Sequence, residues 1–334
     1  MKKLAFPVII LFCFSVSAFT LDDVTYPRKS TSNSKFLDYL VPSEYPTIQI
    51  ALDAAVVSGG KNITIIVEEG EYREAVFVTG LKNLKLIGRN ARILPPNDFI
   101  FTEPPQGDNF PASSIKLINC ENFKVEGFTF IGNDFAEGTG FSYPMGNAIL
   151  SYNSSGTISN NIIFNYFDGI SFQVDNPRWM KGEISDNYIH NCLWSGIFAT
   201  GSNNLRIQKN KIAFTIPREL SISVGIWTDG GLGIISENHI TSYMAVDYFP
   251  QEKTIPGPDF WPSNLRSSER LEYQVLNNTF EPSCAGTQFN KVGIEADKSY
   301  RFLDKSLRIK NHFINIDQDN NTNKQSEMVM LRRE

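Results

Sequence analysis

The sequence has 334 residues, of which 41% are hydrophobic and 20% are charged, and its formal net charge is -5. This composition is typical of a globular protein and excludes a disordered chain, a collagen and a multi-span membrane protein. The negative charge, without a Lys/Arg-rich run before the C-terminal tip, argues against nucleic-acid binding.

The N-terminus predicts a secretory signal peptide over residues 1–18. Lys2 and Lys3 precede an apolar run at residues 4–14, and small residues follow it. An apolar run of about eleven residues suits a signal peptide, whereas a membrane span needs about 20. We therefore expect a secreted or periplasmic protein without a membrane span after signal cleavage; a retained anchor is the alternative. Residues 19–44 are expected to form a lead-in segment.

One amphipathic helix is predicted next in the chain. Ile48, Ala51, Leu52 and Ala55 follow the spacing i, i+3, i+4, i+7, and Thr47 stands at the expected helix start. We expect this helix to cap the open end of a solenoid, as terminal units of repeat proteins do. Strand-like runs follow at residues 63–67, 75–78 and 84–87.

The central part of the chain repeats a short pattern in which Asn lies between two apolar runs and a Gly-Ile pair follows. The recurring asparagines are Asn161, Asn187, Asn210, Asn238, Asn278 and Asn311. Repeats with a variable period of roughly 20–30 residues indicate a solenoid with loops of unequal length. The apolar residues alternate as in strands, and Asn tolerates the left-handed backbone of a tight corner. The pattern predicts a parallel β-helix with Asn at the corners and Asn amides bonded along the stack.

Four segments near the N-terminus resemble a known superfamily. They are YPTIQIALDAA at 45–55, ITIIV at 63–67, GEYREAV at 70–76 and LKLIG at 84–88. These segments are similar to the opening of pectin-lyase-like right-handed β-helix proteins, which include pectate lyases, pectinesterases and polygalacturonases. The resemblance covers about residues 41–315. It implies an all-β, single-stranded, right-handed parallel β-helix over residues 45–315 with an N-terminal capping α-helix.

The activity motifs of the superfamily are matched only in part. The GEYREAV segment resembles the first pectinesterase signature, which is mainly structural, and the pectinesterase catalytic set is not found. TDG at 228–230 and RIK at 308–310 match two of the four polygalacturonase segments. The resemblance therefore implies a polysaccharide-active β-helix but leaves hydrolase, lyase, esterase, epimerase and non-catalytic binder open.

Candidate binding residues come from the strand at each Gly-Ile pair. Because side chains alternate along a strand, an inward Ile turns the next and third-next residues outward. This rule predicts an outward aromatic row at Tyr152, Phe198, Trp227 and Phe249. An exposed aromatic row is costly without a ligand or a covering loop, and aromatic rings stack on sugar rings. We predict that these four residues bind ligand.

Acidic residues are predicted on the same face. Asp229 and Asp247 are expected on adjacent coils, with Cα atoms roughly 8 Å apart. Their carboxyl groups could then reach the separation used in glycoside hydrolysis, so we predict both residues as the catalytic acid and base. Glu295 is predicted to bind ligand. A solvated acidic surface is the alternative, and calcium is a candidate cofactor, although no residue is assigned as a metal ligand.

Two basic residues and two long loops are predicted beside this face. Arg178 and Lys181 flank a tryptophan in the segment 174–181 and are predicted to contact ligand, where either could be the base that a lyase needs. The loops at 95–111 and 250–270 are expected to form groove walls or lids, with a dimer contact as the alternative for the second.

Three cysteines remain after the signal segment. Cys120, Cys192 and Cys284 belong to no CxxC or His/Cys cluster, which argues against zinc. We expect buried apolar side chains, and the sequence leaves open whether any two of them pair. Residues 316–334 are expected to form a polar C-terminal tail.

These features together predict a secreted β-helix that binds an extended acidic polysaccharide, pectin- or alginate-like, and cleaves or modifies it. A glycoside hydrolase or a polysaccharide lyase would be the enzyme class. The alternative is a non-catalytic carbohydrate-binding or cell-surface interaction protein of the same fold. The sequence leaves the sugar and the oligomeric state open.

Overall fold

The architecture was established from a computed structural model of the chain. Its described residues all belong to the unit Lys35–Glu334. The structure describes residues 37–59, 61–96, 113–132, 146–174, 181–192, 194–201, 204–215, 224–229, 232–244, 263–267, 272–284, 291–296, 310–313 and 326–331.

The described residues of this unit form three parallel sheets of nine strands each, and strands are numbered along the chain. Sheet I contains β1 (Leu37–Val41), β2 (Lys61–Val67), β5 (Lys82–Gly88), β8 (Glu121–Glu126), β11 (Ser155–Ser159), β14 (Gly182–Ser185), β17 (Leu205–Gln208), β20 (Leu232–Ser236) and β23 (Glu272–Leu276). Sheet II contains β3 (Gly70–Arg73), β6 (Ala91–Leu94), β9 (Thr129–Ile131), β12 (Ile162–Phe164), β15 (Tyr188–His190), β18 (Lys211–Thr215), β21 (His239–Met244), β24 (Thr279–Cys284) and β26 (His312–Phe313). Sheet III contains β4 (Val76–Thr79), β7 (Ser113–Ile118), β10 (Asn147–Tyr152), β13 (Asp168–Gln173), β16 (Ser195–Thr200), β19 (Val224–Asp229), β22 (Ser263–Ser267), β25 (Lys291–Ala296) and β27 (Ser326–Leu331).

The chain winds as a solenoid, because the strands from β2 to β25 form successive coils that each contribute one strand to each sheet, and consecutive coils pair in parallel. In sheet III, for example, Ile170 on β13 aligns with Ile197 on β16, which aligns with Ile226 on β19. All three isoleucine side chains are fully buried. Equivalent apolar residues thus stack in columns along the core, and the predicted all-β parallel β-helix is confirmed.

The solenoid extends past the range 45–315 expected from the sequence. Strand β1 lies in the expected lead-in segment and pairs with β2. Strand β27 lies in the expected polar tail and pairs with β25. The short, mainly apolar runs LDYLV and MVML are sufficient for these end strands to dock on an existing sheet edge.

The predicted capping helix is α1 (Ile48–Val57). Its buried face contains the four residues of the predicted helical pattern and Ala54. The Thr47 side chain accepts a hydrogen bond from Ile50 N at the N-cap. The two oxygens of the Glu74 carboxylate accept hydrogen bonds from Ile48 N and Gln49 N, each at 3.0 Å. The Glu of the pectinesterase-like segment therefore satisfies free N–H groups of the helix start, which is a structural role.

The recurring asparagines form a buried ladder along the stack, as predicted. Each amide nitrogen donates to the amide oxygen of the asparagine on the next coil, over 2.9–3.1 Å. The same oxygen also accepts the backbone N–H of the preceding asparagine, as Asn210 Oδ1 does from Asn187 N. The ladder members are Asn161, Asn187, Asn210, Asn238, Asn278 and Asn311. Their hydrogen bonds satisfy buried corner backbone groups that the strands leave free.

At five of the six ladder asparagines, the left-handed backbone of the corner lies one residue earlier than predicted. Positive φ values of 55–58° occur at Asn160, Asp186, Lys209, Glu237 and Asn277. The ladder asparagine that follows is the buried residue of the corner. The ladder position requires Asn because its amide both donates and accepts hydrogen bonds. The left-handed position before it also tolerates Asp, Lys and Glu.

The structure describes the side chains of two of the three cysteines. Cys120 and Cys192 are buried and free, as expected for apolar core residues. Burial raises the pKa of both thiols. The Cys284 side chain lies outside the described residues, so its state stays a prediction.

Candidate functional site

An aromatic row runs along the outside of sheet III. The rings of Phe167 and Trp194 stack with centroids 5.4 Å apart, and those of Trp194 and Trp227 stack with centroids 5.3 Å apart. Phe198 meets Trp227 edge-to-face at 6.0 Å. All four side chains are half-buried. From here on, the name aromatic row refers to the four residues of this observed cluster, Phe167, Trp194, Phe198 and Trp227.

Two members of the row were predicted and two were not. Phe198 and Trp227 are aligned on β16 and β19, with buried neighbours on either side of each along its strand, so the predicted alternation is confirmed for both. Phe167 and Trp194 lie in the turns before β13 and β16, where Trp194 N donates to Phe167 O over 2.8 Å. A search restricted to strand alternation cannot find them. Alignment of the segments FDGI (167–170) and WSGI (194–197) contains the signal.

A polar row borders the aromatic row at the C-terminal ends of the same strands. Tyr152, Gln173, Thr200 and Asp229 align in register across β10, β13, β16 and β19. The side chains of the first three are half-buried, and Gln173 Nε2 donates to Ser171 Oγ over 2.7 Å. Three strand spacings of about 4.8 Å put the Tyr152 and Asp229 backbones roughly 14 Å apart.

The outward face differs from one end of sheet III to the other. The outward positions Leu150 on β10 and Ser171 on β13 are fully buried, although the alternation rule expects them on the surface. The aligned positions Phe198 and Trp227 are half-buried. The accessible aromatic surface therefore begins at Phe167 and β16 and continues to β19.

The predicted neighbour of the Asp229 strand is corrected by the sheet topology. Strand β22 pairs with β19 on the next coil, and Arg266 aligns with Trp227. The sequence pattern had assigned that place to the segment around Asp247. The segment 250–270, which the sequence predicts as one loop, contributes this strand, and β22 pairs in parallel with both β19 and β25. Asp247 itself lies outside the described residues.

Other predicted site residues are described only in part. Lys181 is exposed just before β14, and its carbonyl accepts from Gly156 N over 3.1 Å. Glu295 lies on β25 with its backbone aligned with Arg266, and its side chain is outside the description, as is that of Asp229. Phe249 and Arg178 lie wholly outside the described residues. The binding and catalytic roles of all these residues stay predictions.

A buried polar cluster lies directly beneath the aromatic row. Asp168 and Ser195, which follow Phe167 and Trp194 in the chain, are aligned on β13 and β16. Ser195 Oγ donates to Asp168 Oδ1 over 2.6 Å. Burial raises the Asp168 pKa to about 7, although hydrogen bonds from the Ser195 hydroxyl and backbone N–H favour the charged form. Asn147 on β10 aligns with Asp168 on the adjacent strand β13. The Asn147 Oδ1 atom is buried without a hydrogen-bond partner among the described residues.

In the described strands and turns, no group of three or more His, Cys, Asp or Glu side chains could hold a metal ion. Calcium binding therefore stays a prediction. The described segments contain no helix that is long and apolar enough to cross a membrane.

Comparison with known proteins agrees with this architecture. Residues 113–244 match the family described as "Right handed beta helix region". The chain therefore has the fold of a right-handed parallel β-helix. This match and the three parallel sheets confirm the predicted fold class, and the resemblance to the pectin-lyase-like superfamily holds at the level of fold. A search of curated proteins found no match.

Several solved structures are similar to this chain at low identity. A DFA-IIIase from Arthrobacter chlorophenolicus A6, in complex with DFA-III, has 13% identity and a TM-score of 0.49, covering 87% of this chain and 80% of that one. Pectin methylesterase PemA from Erwinia chrysanthemi has 13% identity and a TM-score of 0.38, covering 77% and 91%. The tailspike protein gp49 from Acinetobacter baumannii bacteriophage Fri1, a capsular polysaccharide depolymerase, has 9% identity and a TM-score of 0.37, covering 91% and 66%.

Proposed function

We propose that the protein binds an extended sugar chain along the aromatic row of sheet III and cleaves or modifies that chain. The observation that carries the proposal is the half-buried stack of Phe167, Trp194 and Trp227 with Phe198 beside it. Apolar surface of this kind, bordered by polar groups, is typical of a ligand-binding groove.

The geometry of the row favours an elongated ligand. The stacked rings follow the direction in which coils pile up, so their outward edges form a continuous apolar strip. Stacking on both sides occupies the faces of the Trp194 ring, which leaves its edge and the differently oriented Phe198 ring for contact. A sugar chain laid across the coils would contact several of these edges in succession.

The polar row supplies complementary hydrogen-bonding groups. Tyr152, Gln173 and Thr200 contribute phenol, amide and hydroxyl groups that can bind sugar hydroxyls. For the chemistry, Asp229 and Asp247 are proposed as acid and base, with the Asp229 backbone at the end of the polar row. Arg178 and Lys181 are proposed to bind the carboxylates of an acidic, pectin- or alginate-like chain after export of the protein.

The binding test compares single alanine variants on two faces. Phe198→Ala and Trp227→Ala should each weaken binding to the sugar chain by about 5-fold or more, since an interface aromatic contributes over about 1 kcal/mol. Tyr188→Ala is the matched control, because Tyr188 is a half-buried aromatic that contacts Phe164 and Lys211 on sheet II. Affinity electrophoresis with pectin, alginate and glycosaminoglycans measures the effect. Equal retardation of all three variants and the wild type would contradict the proposed binding face.

The catalytic test is separate from the binding test. Release of reducing ends indicates hydrolysis, whereas absorbance from an unsaturated uronate indicates a lyase. Asp229→Asn and Asp247→Asn should each abolish turnover and preserve binding, and assays with and without calcium test the cofactor. Full activity in both variants would rule out the proposed acid and base. Binding by the wild type without any turnover would instead identify a non-catalytic carbohydrate-binding protein.

A further inference from the structure

We infer that the buried Asp168 carboxyl group is protonated in the folded protein and donates a hydrogen bond to Asn147 Oδ1. This proton would complete a polar column across β7, β10, β13 and β16, formed by Ser113, Asn147, Asp168 and Ser195. The column would make the coils beneath the aromatic row sensitive to pH.

The geometry leaves one link of the column open. Asn147 Nδ2 donates to Ser113 Oγ over 3.3 Å, and Ser195 Oγ donates to Asp168 Oδ1 over 2.6 Å. Asn147 and Asp168 are aligned neighbours on adjacent strands. Within the described residues Asn147 Oδ1 is buried without a partner, and a carboxylate beside it could offer only another acceptor. A proton on Asp168 Oδ2 supplies the missing donor, so every hydrogen bond of the column then runs from β16 towards β7.

The surroundings of Asp168 favour the neutral form. The side chain lies in the core, and the described residues aligned with it on β10 and β16, Asn147 and Ser195, are not titratable. The titratable groups packed nearby in the described part of the chain are the Cys192 thiol and the Tyr166 phenol, and burial raises the pKa of each. Neither is a cation. An ionised Asp168 would therefore be a buried carboxylate without a counter-ion among these groups, which is costly.

A rival arrangement makes the opposite prediction. If the Asn147 amide is turned over, its Nδ2 would donate to an ionised Asp168 and its Oδ1 would accept from Ser113. The two amide orientations differ only in the placement of nitrogen and oxygen. Experiment distinguishes them because the side-chain amide of an Asp168→Asn variant resembles the protonated acid: it offers both a donor and an acceptor.

The pH dependence has a definite sign. The Asp168 pKa of about 7 in the folded protein lies above the ordinary value of 3.8. Between these values the folded protein holds a proton that the unfolded chain has released, so stability falls as the pH rises and levels off above about pH 7. Phe167 and Trp194 directly precede Asp168 and Ser195, so loss of the proton should also disturb the aromatic row.

The test compares thermal unfolding of the full chain and its D168N variant from pH 5 to pH 9. We expect the difference between the D168N and wild-type midpoints to grow in favour of D168N by several degrees from pH 5 to about pH 7, and then to stay constant up to pH 9. D186N is the matched control, because Asp186 is an exposed turn residue on the next coil whose left-handed φ of 57° also suits Asn. Its pH profile should parallel that of the wild type. A D168N variant less stable than the wild type across this range would overturn the inference in favour of an ionised Asp168.

A direct measurement keeps the inference testable if D168N fails to fold. Carboxyl ¹³C NMR of protein labelled at Asp should show one resonance that titrates near pH 7, and S195A should shift its midpoint upward because a donor to the charged form is lost. Titration of every Asp carboxyl below about pH 5 would refute the inference. Neither readout depends on sugar binding, so the inference can fail independently of the proposed function.

Discussion

Replacing Asn210 with alanine should remove one rung of the buried ladder and strongly destabilise the solenoid. The Asn210 amide nitrogen donates to Ile184 O at 2.9 Å, Gln208 O at 3.1 Å and Asn238 Oδ1 at 3.0 Å. Its Oδ1 accepts from the backbone and side-chain nitrogens of Asn187 at 3.1 Å and 3.0 Å. Truncation at this position therefore breaks hydrogen bonds to the coils on both sides.

The magnitude follows from the groups left without partners. In the Asn210→Ala variant, Asn187 N–H and Ile184 C=O are buried groups that lose the hydrogen bond made by the amide. Each unsatisfied buried group costs about 1–3 kcal/mol, so the free energy of unfolding should fall by about 2–6 kcal/mol. Asn210→Asp should also destabilise, because a carboxylate cannot donate to Ile184 O, whereas it can still accept from Asn187.

Equilibrium urea unfolding followed by far-UV circular dichroism measures this effect. Gln208→Ala is the matched control: Gln208 lies two residues earlier, and its half-buried side chain donates to Glu183 Oε1 over 3.1 Å. A surface substitution of this kind should change stability by about 0.5 kcal/mol or less. If Asn210→Ala cost no more than Gln208→Ala, the reasoning that the ladder stabilises the corners would be refuted.

Three further predictions concern other described residues. Glu237→Asn should raise the free energy of unfolding by about 0.5–1 kcal/mol, because Glu237 is exposed with a left-handed φ of 58° that Asn tolerates better; a loss of stability in urea unfolding would contradict this. Glu74→Ala should lower the free energy of unfolding by about 1–3 kcal/mol, because two N–H groups at the start of α1 lose their acceptor. An unchanged urea midpoint would contradict the proposed cap. Cys120 and Cys192 should react with a thiol reagent at pH 8 only after denaturation, because burial raises the pKa of both thiols; fast labelling of the native protein at either residue would contradict this.

Parts of the candidate site could be predicted from the sequence because strand alternation is local. Phe198 and Trp227 follow an inward Ile on their own strands, so their half-buried position depends on neighbours in the chain. Phe167 and Trp194 were missed because they belong to turns, where no two-residue period applies. Strand β22 was missed because a long insertion precedes it, and the sequence contains no signal for the residue at which a chain returns to a sheet.

The amino-acid sequence alone was sufficient to predict the parallel β-helix, its capping helix and the Asn ladder. These features depend on short periods that each coil repeats, and in a solenoid a coil contacts mainly its neighbours. The tertiary structure alone decided which residue of each corner is left-handed, how the aromatic rings stack, and that Asp168 is buried between Asn147 and Ser195. These features depend on the register between coils, and loops of unequal length do not encode that register locally.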